Sequence, residues 1–421
     1  MSRKPEKPEA FFIVPHFNML APATPVDTVS AKFFAKAGSK PPGNNRGDWT
    51  VETTDENGKK VYARPPVKVD FIGTISAEKP DPLATPEQQK KRRRQIDREA
   101  FLNQQCLEKA VEILSQSPTG RDVLEQMTKE GYRIVFDDRR TGDRGAGGLC
   151  DPADKLIILR GHDNPEYLAL LLGHESVHAV QNTRHDLFPS TRHKPEVGIK
   201  MSFAIEADAY AQQSQIALEL AYGDPDGPED QLRMQGPLLQ MRERFPDIIA
   251  AAEKVLISEE AMQNGKTVAA AFEAFYDNFY LRTFYEDAHI EWANTYAPKL
   301  KGTFPWLQRH FSKDTDSQWI KDRIQHRGKS YLNDHLPHMS FDDTRHSGLT
   351  EVTGKKVQRF YAEHMKDKPP VLKVFGVHMR GAAEVVQGLT ASIHAIWKES
   401  DDPAKPALRA PPQRNKFGFW K

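Results

Sequence analysis

His174-Glu175-Ser176-Val177-His178 carries the residue types of a metal site at the spacing a helix requires. Residues four apart on an α-helix lie above one another, so both imidazoles can reach one zinc ion roughly 2.0–2.1 Å away. Glu175 follows the first histidine directly and so lands beside the metal, not on it. From there its carboxylate can take a proton from a water on the metal, whose pKa zinc lowers towards ~7. The motif also arises by chance, so its surroundings decide its weight. Here it sits inside a capped apolar helix, Asn164 to Arg184, with a strand signal just upstream.

That helix is legible from end to end. Asn164 is an N-cap residue, Pro165 suits the first helical position, and Glu166 complements the positive end of the dipole. Tyr167, Leu168, Leu171, Leu172 and Val180 supply an apolar face, and Gly173 is the single weak helix former among them.

A catalytic zinc site needs three protein ligands and an open fourth position. A histidine in the pattern H-E-x-x-H-x-x-G-x-x-H is disfavoured, because Gln181 and Arg184 stand where that pattern has glycine and histidine. His185 is one residue out of register. The remaining sources lie on a following helix, Ile199 to Tyr222, which contains Glu206-Ala207-Asp208-Ala209-Tyr210-Ala211. Glu206 and Asp208 point about 200° apart on a helix, so both cannot face one ion. Glu206 is preferred, because Ala207 and Ala209 beside it permit close helix approach and an unpaired charge among Phe203, Ile205 and Ala209 would be costly. Asp208 is the alternative ligand, or an acceptor supporting one.

Leu170 to Gln181, LLLGHESVHAVQ, followed by EADAYA, resembles the bacterial metallopeptidases of the gluzincin clan. The likeness is to an uncharacterised family with HELxHAxQ and EADA-type motifs, and it covers roughly residues 120 to 220. The resemblance implies a zincin-like core, zinc as cofactor, peptide-bond hydrolysis, and a protein or peptide substrate. Residue by residue it matches His174, His178 and Glu206 to zinc ligands and Glu175 to the catalytic base. Ser176 stands where leucine is commoner, which leaves the chemistry untouched.

The elements around this helix follow a helix, strand, turn, strand order. Thr85-Pro86-Glu87-Gln88 forms a capping box that starts a helix reaching about Gln116. Its Lys90 to Arg94 run reads as a solvated face. Ser117-Pro118-Thr119 opens a second helix, closed by Gly131. Tyr132 to Phe136 reads as a strand, residues 137 to 148 as a Gly- and Arg-rich loop, and Lys155 to Arg160 as a second strand. A strand directly before the metal helix could hold an extended peptide across the zinc by main-chain hydrogen bonds.

The expected class is therefore α+β, mostly helical, with a small β-sheet and two metal-bearing helices. Three regions are expected: residues 1–84, rich in Pro, Gly, Lys and Thr and largely disordered; a metallopeptidase unit, 85–296; and a helical or irregular extension, 297–421. Within the first, Phe11 to Val14, Phe33-Phe34 and Val67 to Ile72 are short apolar pieces able to form strands or dock on the body. Beyond the second metal helix, helices are expected over Gly236 to Phe245, Pro246 to Asn264, a long aromatic stretch capped by Thr267, Gly354 to Met365 and Ala382 to Lys398. Tyr280, Arg282, Tyr285 and His289 are candidate oxyanion donors, each more readily a structural residue. His335, His338, His346, His364, His378 and His394 form no ligand pattern.

Composition narrows the rest. Lys plus Arg (59) and Asp plus Glu (58) cancel, which gives no reason to expect a nucleic-acid or membrane partner. Two cysteines, Cys106 and Cys150, fit neither a disulfide scaffold nor a zinc-cysteine motif, and favour a reducing compartment. The start of the chain lacks the apolar core of a secretory signal, so a cytoplasmic location is expected, with a non-Sec export route leaving no readable signature. A second reading, a non-catalytic zinc-stabilised interaction protein, predicts metal without turnover.

Overall fold

A capping side chain followed by proline starts three helices, among them the one that carries His174 and His178. Thr85 accepts from Gln88 N ahead of α1 (Pro86–Leu114), and Ser117 accepts from Gly120 N ahead of α2 (Pro118–Lys129). After the one-turn α3 (Asp138–Gly142), Asn164 accepts from Tyr167 N at 2.9 Å and opens α4 (Pro165–Thr183). Each cap satisfies an amide that the first turn leaves unpaired. The computed structural model describes residues 12–15, 49–75, 84–143, 146–161, 164–190, 192–285, 313–364 and short pieces within 290–297 and 373–378.

The chain is mostly helical with small sheets, an α+β class. The central sheet takes β1 (Phe12–Pro15), β4 (Phe71–Ile75), β5 (Arg133–Asp137), β6 (Ala146–Asp151) and β7 (Leu156–Leu159) in the order β1-β6-β7-β5-β4. β4, β5 and β7 run parallel, whereas β6 is antiparallel to both β7 and β1. Alternation along the strands divides their side chains between two clusters. Ile134, Phe136, Ile157 and Leu159 join the main helical core, while Val135, Leu149 and Ile158 form a smaller one.

β6 corrects the expectation of a loop over residues 137–148. Ala146, Gly147 and Gly148 have little intrinsic strand preference, and pairing to β7 and β1 imposes the strand on them. The consequence reaches the site. β7 is enclosed between β5 and β6, so it has no edge on which to hold a peptide.

Residues 1–84, expected to be largely disordered, supply four strands among their described residues: β1, β4 and the hairpin of β2 (Val51–Thr54) with β3 (Lys60–Ala63). Buried Arg64 anchors this stretch. Its guanidinium donates to Asp224 Oδ2 and Gln116 O, and packs 4.1 Å from the centre of the Trp49 ring. Phe33-Phe34, His289, His394 and the helix expected over 382–398 lie outside the described residues, as does the side chain of His378.

α4 is buried on almost every side from Tyr167 to Gln181, and α5 (Pro195–Tyr222) is buried over nearly its whole length. A helix apolar all round sits inside a core. Where the two cross, Gly173 allows the contact: a methyl there would lie 3.0 Å from Ile216 Cδ1 and 3.3 Å from Leu114 Cδ1. Against α5 pack α6 (Gly236–Arg244), α7 (Pro246–Val255) and α9 (Lys266–Asp277), while α8 (Glu259–Gln263) and α10 (Phe279–Tyr285) pack against α9. Two expected long helices are thus broken. Residues 256–258 separate α7 from α8, and Asn278 separates α9 from α10. Thr267 lies inside α9 and donates to Gln215 Oε1, while Gly265, at φ 82°, takes the cap position.

The extension after residue 297 is not a separate body where it is described. α11 (Ser317–Arg323), α12 (Tyr331–His335) and α13 (Glu351–His364) bring Ile320, Tyr331, Phe341 and Phe360 into the main core. Among the described residues no helix is long and apolar enough to cross a membrane.

Candidate metal centre

α4 and α5 cross so that His174, His178 and Glu206 meet in the interior. One ligand atom from each lies within 4.8 Å of the others, and the three residues are at most 1% exposed. His174 Nε2 is 3.5 Å from Glu206 Oε2, and His178 Nε2 is 3.7 Å from Glu206 Oε1. Two donors about 2.0–2.1 Å from one ion at a tetrahedral angle stand about 3.4 Å apart, close to both separations. These are poor distances for hydrogen bonds and suitable ones for two ligands of the same metal.

The ring orientations serve the same end. His178 Nδ1 lies 2.8 Å from Gln181 Oε1, and His174 Nδ1 lies 3.3 Å from Gln213 Oε1. An amide oxygen accepts only, so each Nδ1 carries the proton and each Nε2 presents its lone pair to Glu206. His174 Nε2 and both oxygens of Glu206 have no hydrogen-bond partner despite full burial. A buried polar group left in this way is costly unless something else satisfies it. A two-nitrogen, one-carboxylate set fits a zinc-like ion.

Electrostatics favour the protonation states that metal binding needs. Burial lowers the His174 imidazole below its ordinary value, and Glu206 only partly opposes this. Burial pushes the Glu206 carboxyl up, but His178 and His174 more than offset it, and the net direction is down. Both directions are those that metal ligation needs, a His174 imidazole that sheds its proton readily and a Glu206 carboxyl that ionises readily.

Glu175 is fully buried, and neither of its oxygens has a hydrogen-bond partner. Burial pushes its carboxyl well above the usual carboxylate range, and the Glu206 charge adds to the shift. β6 makes room for it. A methyl on Gly148 would lie 2.7 Å from Glu175 Oε1, so the strand can pass this close because the residue there is glycine.

Asp208 does not join the three-residue cluster. Its carboxylate accepts from Gln181 Nε2 at 2.8 Å, Tyr331 OH at 2.8 Å and Gln212 Nε2 at 3.3 Å. It therefore holds Gln181, which in turn holds His178. Gln181, Gln213 and Tyr331 are the residues that the reading of the sequence missed. Gln181 is one turn beyond His178, and Gln213 lies two turns beyond Glu206 on the same face, so both positions carried a helical-spacing signal.

Of the oxyanion candidates, Tyr280 is 56% exposed and Arg282 donates to Tyr276 O. Tyr285 is buried, with its phenol pushed up by burial and by the neighbouring Glu206. The Tyr210 ring meets the His174 ring edge-on at 4.7 Å. A separate cavity of about 480 Å³ lies behind α4, lined by Val177, Val180, Gln181, Gln212 and His326 among others. His174, Glu175 and Glu206 do not line it, so it is not the opening to this site.

Residues 86–295 match the sequence profile of a family described as "Putative metallopeptidase family (DUF6782)". The matched stretch contains both α4 and α5, and is similar to a metallopeptidase family. No curated protein and no solved structure matches the chain.

Proposed function

We propose that this protein is a zinc-dependent peptide hydrolase of the gluzincin type, in which His174, His178 and Glu206 hold the metal and Glu175 is the general base. The observation that carries this reading is the meeting of three buried donors at tetrahedral ligand spacing, with a second buried carboxyl group, that of Glu175, beside them. Zinc bound there supplies a Lewis acid for the substrate carbonyl and lowers the pKa of water.

The chain's own residues do the rest. Glu175 takes a proton from the attacking water and returns it to the departing amine, a role suited to a carboxylate that burial pushes well above the usual carboxylate range. Gln181 and Gln213 fix the imidazole tautomers through their side-chain oxygens. Asp208 and Tyr331 hold Gln181 in turn, so support reaches in from outside the proposed 85–296 unit. The substrate is a protein or peptide, and the proposed setting is the cytoplasm.

Elemental analysis of the purified protein tests the ligand set. About one zinc per chain is expected in the wild type, and loss of it in both His174→Ala and Glu206→Ala. Zinc retained by both variants, or absent from the wild type after zinc supplementation, would contradict it.

A further inference from the structure

β6 is the strand that passes Glu175, and its outer edge is covered by the chain's own N-terminal strand. β1 pairs antiparallel with Phe12 opposite Cys150, Ile13 opposite Leu149 and Pro15 opposite Ala146. This register brings the Val14 main chain level with Gly147 and Gly148, of which Gly148 passes the Glu175 carboxylate. We infer that Phe12–Pro15 occupies the peptide-holding edge of the site as an intramolecular stand-in for substrate, and leaves it before an external peptide binds. The inference rests on the hydrolase reading above.

Three features support it. First, the other edge of β6 is committed to β7, so an added strand has one edge of β6 to join, and β1 is on it. Main-chain pairing to a sheet edge is how extended peptides are commonly held. Second, the pairing is built to be displaced. β1 has four residues, its register is irregular between Ile13 and Pro15, and Pro15 has no amide hydrogen to donate. Short edge strands lie at the low-stability end of a fold. Third, the connection is tethered. A segment linked to its own docking edge acts at an effective concentration on the order of millimolar, enough to outcompete dilute peptides. The occupant also indicates the class of peptide: an extended, uncharged, apolar segment of the Phe-Ile-Val-Pro kind.

The test uses the full chain in two forms and reads binding as well as turnover. Ile13→Pro breaks the pairing to Leu149 and should release the edge. Phe12→Cys stands opposite native Cys150 in the strand register, and a disulfide between the two should lock the edge when oxidised. The probe is a fluorescein-labelled peptide of residues 9–18, followed by anisotropy, alongside hydrolysis of a quenched extended peptide. If about one molecule in ten has the edge free, Ile13→Pro should tighten apparent binding roughly tenfold and lower KM in step. Oxidised Phe12→Cys should bind the probe weakly, and thiol reduction of the same sample should restore binding, which also shows that the variant is folded. Binding changes without turnover in any form would refute the hydrolase reading and leave the docked strand standing. Turnover and binding that stay at wild-type levels in Ile13→Pro and in oxidised Phe12→Cys would overturn the inference.

Discussion

His178 Nδ1 and Gln181 Oε1 lie 2.8 Å apart, one turn along the same buried helix. The same amide donates to Asp208 Oδ2 and to Ile205 O, so a single side chain joins α4 to α5 directly behind the imidazole. Removing it as Gln181→Leu should leave the fold intact and lower zinc affinity by about 10–100-fold, measured by competition with a chromophoric chelator. Unchanged affinity would show that packing alone holds the ring.

The far end of that chain of hydrogen bonds lies in the C-terminal extension. Tyr331→Phe deletes the hydroxyl that donates to Asp208 Oδ1 at 2.8 Å. Acting through two intermediates, it should weaken zinc binding by less than Gln181→Leu does, by about tenfold at most. The same chelator titration checks it. Truncation after residue 297 should have a larger effect, because Ile320, Phe341 and Phe360 leave the core as well.

Gly148→Ala puts a methyl 2.7 Å from where Glu175 Oε1 now sits. The carboxylate must shift, and misplacement of a general base by an ångström can cost about 10²-fold in rate. The expected outcome is one zinc per chain with kcat lowered by roughly that factor, read from metal content and steady-state hydrolysis of one sample. A variant with normal kcat would remove Glu175 from the reacting group.

Buried and half-buried histidines away from the cluster give the fold an acid limit. Burial holds His326 down to about 4 from an ordinary value of 6.5, and His185 and His193 are likewise held at about 4. The unfolded chain takes up these protons near 6.5 and the folded chain only near 4, so the unfolded state binds more protons in between. Their stability contribution is complete above 6.5 and is lost as pH falls towards 4. Glu196, pushed up by burial, contributes with the opposite sign, losing stability as pH rises above the ordinary 4.5. The difference between wild type and His326→Gln isolates one histidine. The variant should show a shallower fall in melting temperature between pH 6.5 and 4 than the wild type.

How much of this was legible in the sequence divides along physical lines. Local periodicity placed His174 and His178 one turn apart, and the same geometry separated Glu206 from Asp208. Capping signals at Thr85, Ser117 and Asn164 marked three helix starts, because a cap is a contact between near neighbours. The misses involve partners distant in the chain. β6 is a strand because β7 and β1 pair with it, and Ala146-Gly147-Gly148 carries no such signal by itself. β4 overlaps the Val67 to Ile72 piece that is able to form a strand, but its bounds, Phe71–Ile75, come from pairing with β5. Gln181 counted only against one zinc pattern, since its link to Asp208 spans two helices.

The proposed mechanism has Glu175 doing chemistry beside a bound metal. Zinc content and hydrolysis of a quenched extended peptide, measured together on wild type and Glu175→Gln, test it most directly. The account predicts about one zinc per chain in both proteins and turnover in the wild type alone. Equal turnover in the two would contradict Glu175 as the base, and zinc in both with turnover in neither would favour a metal-stabilised interaction protein.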